Sequence, residues 1–298
     1  MTRPVTPALA FGVAAIGIGL FSVMDAFMKS LVLAIGVYNA LFWRTAISTG
    51  LGALLWRRSG GGWPRGRTFR LHLARGSVTA AMALLFFWGL ARVPMAQAIT
   101  LSYIAPLIAL LLGAVLLGER VGGRVVLGSF AALGGVLVVL LGDRADLGGA
   151  RMDGAAAILA SALLYAVNLV LARMQAQAAG PGEIAFFQSG IVTLLLALAA
   201  PWLAVLPEAA LWPRIVVAAC LATGSLALLA WAYAHGDTGF LATTEYTSFL
   251  YAAVLGWLVF GERVTIWTLV GAAIIVVACL LAARKRDIAA TAELQAAP

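Results

Sequence analysis

Ten long apolar runs dominate this 298-residue chain, near 8–33, 38–56, 72–91, 96–117, 125–141, 153–173, 183–205, 212–234, 239–260 and 264–283. Each is close to the ~20 residues a helix needs to cross the hydrocarbon of a bilayer. Apolar side chains make up 63% of the sequence and charged ones 11%, against about 25% charged in a soluble domain. A soluble fold of this size could not bury so much apolar surface. Ten spans use roughly 200 residues and leave ~10 for each connection, so the chain reads as an all-α integral membrane bundle with no soluble domain. The runs are unbroken rather than alternating, which excludes a transmembrane β-barrel.

Turn residues and charges separate the runs: Gly60-Gly61-Gly62 with Pro64, Gly118-Glu119-Arg120, Gly142-Asp143-Arg144, Gly180-Pro181-Gly182, Pro207-Glu208, His235-Gly236-Asp237 and Gly261-Glu262-Arg263. The first run is longer than the 7–15-residue core of a secretory signal and carries Asp25 and Lys29, so it is expected to be a retained helix joined to the second by a very short loop. With the N-terminus inside, thirteen of the 20 basic residues fall on inner segments, chiefly Arg57–Arg75 and Arg284-Lys285-Arg286, and five on outer ones. By the positive-inside rule both termini are cytoplasmic. The net charge of +8 is thereby accounted for by topology and anionic lipid, and nucleic acid is not an expected partner. Cys220 and Cys279 lie in apolar runs and read as small core hydrophobes.

The chain repeats itself. Leu116-Leu117-Gly118-Glu119-Arg120-Val121 matches Val259-Phe260-Gly261-Glu262-Arg263-Val264 at an offset of 143, which also pairs Thr100 with Thr243, Tyr103 with Tyr246, Gly113 with Gly256, Gly128 with Gly271 and Trp88 with Trp231. At 144, Phe42-Trp43-Arg44 falls on Phe186-Phe187-Gln188. The expected organisation is a five-helix unit over 8–141, an outer linker over 142–152, a second unit over 153–283 and a cytoplasmic tail over 284–298. A duplicated unit with an odd number of spans enters the membrane from opposite sides, giving inverted repeats, and transporters built this way bind substrate near the midplane between their halves.

Two five-helix halves, each with an apolar fourth helix ending in Gly-Glu-Arg and a Gly-bearing fifth, resemble the ten-helix EamA-type exporters of the bacterial drug/metabolite transporter superfamily. The resemblance implies an inner-membrane secondary transporter exporting amino acids or related small metabolites by alternating access; one branch of the family exports aromatic amino acids. A lipid or nucleotide-sugar-like metabolite transporter is the alternative on the same fold. Pro106 in the fourth helix is matched by Phe249 in the ninth, so a hinge shared by both halves does not rest on proline.

Ionisable groups inside helices are costly and point to function or to buried pairs. Here they are Asp25, Lys29, Arg44 and Glu245, with His72 near an inner end. Asp25 and Lys29, four apart on one face, are positioned to neutralise each other. Arg44 either reaches the outer headgroups or pairs with Asp25 or Glu245. Glu245, whose repeat mate is Ser102, suits proton exchange or ammonium binding, or else pairs with Arg44 or Lys29. Tyr103 on the outer half of the fourth helix, Tyr246 on the inner half of the ninth, Tyr165 and Asn168 on the sixth, and Trp88 and Trp231 are candidate walls of a substrate cavity. Trp43, Trp56, Trp63, Trp202, Trp212 and Trp267 read as interfacial. Small faces at Gly128, Ala131, Ala132, Gly135 and Gly271-Ala272-Ala273 serve either to pack the repeats or to form a homodimer.

An intramembrane enzyme is the rival class. The sequence has two histidines and no H-E-x-x-H, C-x-x-C, Gly-x-Ser-x-Gly or phosphate-cradling Gly-Lys-Ser/Thr motif. No metal or cofactor is expected, and the dispersed charges do not line a channel. The expected partners are a small-molecule substrate, the lipid bilayer and protons.

Overall fold

In the computed structural model the first two spans are one helical element, Pro7–Arg58, bent at Gly36 (φ 77°, ψ 159°). The expected short loop is a single residue, and it is glycine because a side chain would oppose that positive φ. The structure describes residues 6–60, 62–117, 123–142, 149–235, 241 and 243–295. The loops expected at Gly118-Glu119-Arg120, Asp143-Arg144 and Gly236-Asp237 lie outside the described residues.

The arms of the first element are α1 (7–35) and α2 (37–58), and α3 follows at Arg67–Leu90. The fourth span is in two pieces, α4a Met95–Ser102 and α4b Ala105–Leu117. Then come α5 Gly123–Gly142, α6 Gly149–Ala176, α7 Pro181–Ala197 and α8 Trp212–His235. A 3₁₀ turn, Thr243–Tyr246, leads into α9 Thr247–Phe260, and α10 is Ile266–Gln295. Among the described residues four elements, Ala8–Arg58, Arg67–Leu90, Met152–Ala176 and Ala209–His235, are long and apolar enough to cross a bilayer. The seventh span ends at Ala197, short of the expected 205, because the ring of Pro201 would collide with the carbonyl four residues back.

Packing follows the repeat. α1 packs on α8 and its mate α6 on α3, while α2 meets α7, α4a meets α9 and α5 meets α10. These pairings map onto themselves when the halves are exchanged, as a pseudo-two-fold axis demands. The exterior is apolar: Leu127, Phe130, Leu194, Trp202, Leu250 and Trp257 are each more than 60% exposed, which is stable only where the solvent is lipid. Cys279 is buried as expected, but Cys220 is exposed on α8, a small apolar group facing outward rather than into the core.

The small faces join the two halves. A Cβ on Gly271 would sit 2.3 Å from Val139 Cγ2 and 2.8 Å from the Gly135 carbonyl oxygen, and one on Gly135 would sit 2.7 Å from Ile275 Cγ1. α5 and α10 therefore touch nearly backbone to backbone, the way helices gain van der Waals contact where the hydrophobic effect cannot drive association.

The second Gly-Glu-Arg motif has a local cause. Gly261 takes the left-handed conformation (φ 66°) at the end of α9, with Gly261 N bonded to the Trp257 carbonyl and Glu262 N to the Gly256 carbonyl, both at 3.0 Å. This glycine-dependent helix stop throws the Glu262 side chain back across the bundle. Its Oε2 accepts from Met95 N (2.7 Å), an otherwise unpaired donor at the start of α4a, and its Oε1 meets Lys29 Nζ at 2.5 Å. Lys29 also donates to the Val93 carbonyl at 2.7 Å. Gly256 makes room for the carboxylate, since a Cβ there would lie 2.6 Å from Glu262 Oε2. The pairing expected between Asp25 and Lys29 is thus not made: the Schellman-type turn delivers a carboxylate that also caps a helix, which Asp25, on the same helix as Lys29, cannot do.

Two outcomes follow. Gly271→Ala should destabilise the bundle by about 1–3 kcal/mol, lowering the melting temperature of the detergent-solubilised protein. Glu262→Gln should cost about 3–5 kcal/mol by leaving Lys29 buried without its carboxylate, and adding Lys29→Met should recover much of that loss in the same measurement.

Candidate substrate site

The two interrupted helices meet where the halves face each other. α4 breaks at Tyr103, and the 3₁₀ turn before α9 ends at Tyr246, its repeat mate. Their rings touch edge to face with centroids 5.4 Å apart. The sequence places them in opposite halves of the membrane; the breaks bring both to one depth, next to the pseudo-axis. In α4 the break is followed by Pro106, which has no N–H to satisfy. At the matching position in α9 the Phe249 N–H donates to Tyr103 Oη at 2.9 Å. The Tyr103 hydroxyl in turn bonds Ser248 Oγ at 2.8 Å, and Ser248 donates to the Glu245 carbonyl at 2.6 Å. Thr244 and Thr247 hydroxyls bond the carbonyls of Leu241 and Thr244, each at 2.6 Å. Non-helical backbone inside a membrane is tolerated when such groups satisfy it. Cys279 on α10 completes the junction, 3.5 Å from the Tyr103 carbonyl oxygen and hydrogen-bonded to the Tyr246 side chain.

Glu245 stands on this turn, partly buried, with its carboxylate hydrogen-bonded to Tyr233 of α8. It pairs with neither Arg44 nor Lys29; among the described residues the ion pairs are Lys29–Glu262 and His72–Glu183. Tyr165 of α6 lies within electrostatic range of Glu245, Tyr233 and Arg75.

Arg75 begins a polar chain through the α3, α6 and α7 contacts. Its Nε donates to Asn168 Oδ1 at 3.2 Å and its Nη1 to Gln175 Oε1. Gln175 Nε2 lies 2.6 Å from His72 Nδ1, and His72 Nε2 lies 2.8 Å from Glu183 Oε1. His72 and Gln175 are fully buried, with the imidazole stacked on Phe187 at 4.7 Å. Thr79 bonds both Asn168 Oδ1 (3.2 Å) and Gln188 Nε2 (3.5 Å).

Arg44 does not reach for headgroups. Its guanidinium lies over the buried Phe87 ring, 5.7 Å from the centroid, and its Nη1 is 3.8 Å from Met24 Sδ. Asp25, 3% exposed, is within electrostatic range of Arg44 without closing into an ion pair. Both keep an unsatisfied buried atom, Arg44 Nε and Asp25 Oδ1.

Of the remaining candidates, Ser102 directly precedes Tyr103, and the two tryptophans lie near helix ends. Trp88 is covered by the Arg92 guanidinium at 3.4 Å and Trp231 stacks on His235 at 4.5 Å. Each pairs with the basic residue four positions on at a helix end, and Arg92 and His235 are themselves mates at the 143 offset. The two rings are thus held alike at equivalent helix ends of the two halves. Ser102 bonds back to the Ala98 carbonyl at 2.9 Å. The sequence reading missed Arg75, Gln175 and Tyr233. Arg75 was counted with the inner loop because the apolar run starts at His72, whereas α3 begins at Arg67. The signal that could have found it is the seven-residue spacing of Asn168 and Gln175, which puts two amides on one face of an otherwise apolar helix.

Comparison with known proteins agrees with this architecture. The family described as "EamA-like transporter family" matches residues 8–141 and 152–284. The pseudopaline exporter CntI of Pseudomonas aeruginosa, in strains UCBPP-PA14 and PAO1, is 27% identical over 270 residues, covering 89% of this chain and 93% of the relative. A solved structure titled "Crystal structure of protein" shares the fold with a TM-score of 0.63 at 21% identity, covering 94% of this chain and 99% of its own. The protein is accordingly a membrane transporter of a small molecule and not an enzyme. Ten helices in two inverted five-helix repeats, matched by the family along both, place the chain in the EamA-like transporter family, among the drug/metabolite exporters.

Proposed function

We propose that the chain exports amino acids or amino-acid-derived metabolites across the bacterial inner membrane, by alternating access of one central site between the repeats. The observation that carries this reading is the meeting of the two interrupted helices at Tyr103 and Tyr246 with Glu245 beside them. In inverted-repeat transporters substrate binds where broken helices meet near the midplane. Glu245 has no cationic partner among the described residues, so it is available to an ammonium group or an exchanged proton, and the rings of Tyr165 and Tyr246 offer a face for an apolar side chain. The relatives' name as pseudopaline exporters supports outward transport of a small metabolite. The weighting of basic residues to inner segments supports cytoplasmic termini, and closing the two repeats within one chain is compatible with a functional monomer or a homodimer.

Efflux from proteoliposomes loaded with a mixture of amino acids, read by mass spectrometry with and without a pH gradient, tests the proposal. Saturable efflux of at least one amino acid is expected, and Glu245→Gln should reduce it at least tenfold at equal reconstitution. Wild-type flux with unchanged pH dependence in that variant would remove Glu245 from the site. Tyr246→Ala should alter which side chains are accepted, whereas Tyr103→Phe should chiefly lower the yield of folded protein, because it leaves the Phe249 N–H unpaired at a cost of about 1–3 kcal/mol.

A further inference from the structure

Two guanidiniums are held inside this bundle with no carboxylate of the described residues in contact. Arg44 lies roughly 10 Å along α2 from the Gly36 bend, and Arg75 roughly 12 Å along α3 from Arg67. Since α2 and α3 are consecutive spans, these starting points are at opposite faces of the bundle, and the two cations flank its middle from either end. Each is partly exposed, whereas Lys29, whose charge Glu262 neutralises at 2.5 Å, is 4% exposed.

Their surroundings are related by the repeat. At the offset of 143 Asp25 falls on Asn168, and at 144 Arg44 falls on Gln188. In one half, α1 and α2 therefore present Asp25 and Arg44. In the other half, α6 and α7 present Asn168 and Gln188, which Thr79 links, and α3 supplies the guanidinium of Arg75. The two clusters are equivalent places in the inverted halves, each built from neutral amides or an unpaired acid around one arginine. Arg75 is oriented by Asn168 and Gln175, and Arg44 keeps Nε free of any hydrogen bond.

A guanidinium in a low-dielectric interior is costly without an anion, and its planar fork matches a carboxylate in two-point contact. We infer that Arg44 and Arg75 are two anion stations, one toward each face, which receive the carboxylate of the transported solute in turn as the halves rock. Resting on the proposed export reading, this assigns the substrate class as carboxylate-bearing, the same molecule offering an ammonium group to Glu245. Arg75 then selects the solute at one mouth and Arg44 draws it to the other. The carboxylate-to-arginine contact is renewed at each end, so the anion is never left in hydrocarbon alone.

The test compares each amino acid with its amide in the proteoliposome efflux assay on the wild-type protein, which needs no variant to fold. Acids should leave at least tenfold faster than their amides. Arg44→Gln and Arg75→Gln should each raise KM at least tenfold in protein that elutes as the wild type does, with Arg→Lys intermediate. Amides leaving as fast as acids, or both glutamine variants retaining the wild-type KM, would overturn the stations. If no amino acid leaves, the amino-acid reading fails by itself, and the stations are decided by thermal denaturation with citrate. Stabilisation of the wild type but not of the Arg44→Gln/Arg75→Gln double variant supports them, and equal or absent stabilisation refutes them.

Discussion

A helix broken inside a bilayer exposes backbone donors and acceptors that lipid cannot satisfy, and the arrangement of this protein follows from how it meets that constraint. The Tyr103 hydroxyl, on the break in α4, takes the Phe249 N–H of α9 and passes a hydrogen bond through Ser248 to the Glu245 carbonyl. One half thus repairs the broken backbone of the other. Pro106 makes the reciprocal repair unnecessary by having no N–H. The same end is reached by two chemistries, proline in one repeat and a cross-repeat tyrosine in its mate, which explains how the halves keep a common break without a common proline.

Two of the contacts between the halves differ in kind. α5 and α10 are held by close approach at Gly135 and Gly271. The Lys29–Glu262–Met95 cluster is instead polar, joining α1, the end of α9 and the start of α4a through one carboxylate. The small-residue contact is insensitive to ionisation and suits a fixed scaffold. The charge cluster ties α1, α4a and the end of α9 together through three short hydrogen bonds.

Much of the architecture was legible in the residues. The ten runs, their odd division into five and five, and the Gly-Glu-Arg stops all follow from hydropathy and spacing, because lipid imposes length and composition on every span. Tyr103, Tyr246 and Glu245 stand together as the repeat suggests. What the residues did not disclose is pairing. Lys29 has Asp25 four residues away on its own helix, yet its partner is 233 positions on. Trp88 and Trp231 match in the repeat, but repeat symmetry alone does not disclose that each meets the basic residue four positions on. Arg75 looked like one more basic residue of a loop until α3 was seen to begin before it.

Composition, period and duplication determined by themselves that this chain is a membrane bundle of two inverted halves, since those properties are summed along the chain and need no knowledge of which side chains meet. Tertiary structure alone decided which charges are neutralised and which are left open. A carboxylate's partner depends on where a turn throws it in three dimensions: the left-handed Gly261 sends Glu262 to Lys29 and a helix start, while Arg44 and Arg75 are surrounded by sulfur, an aromatic face and amides. That distinction between a spent charge and an available one separates the scaffold of this transporter from its candidate site.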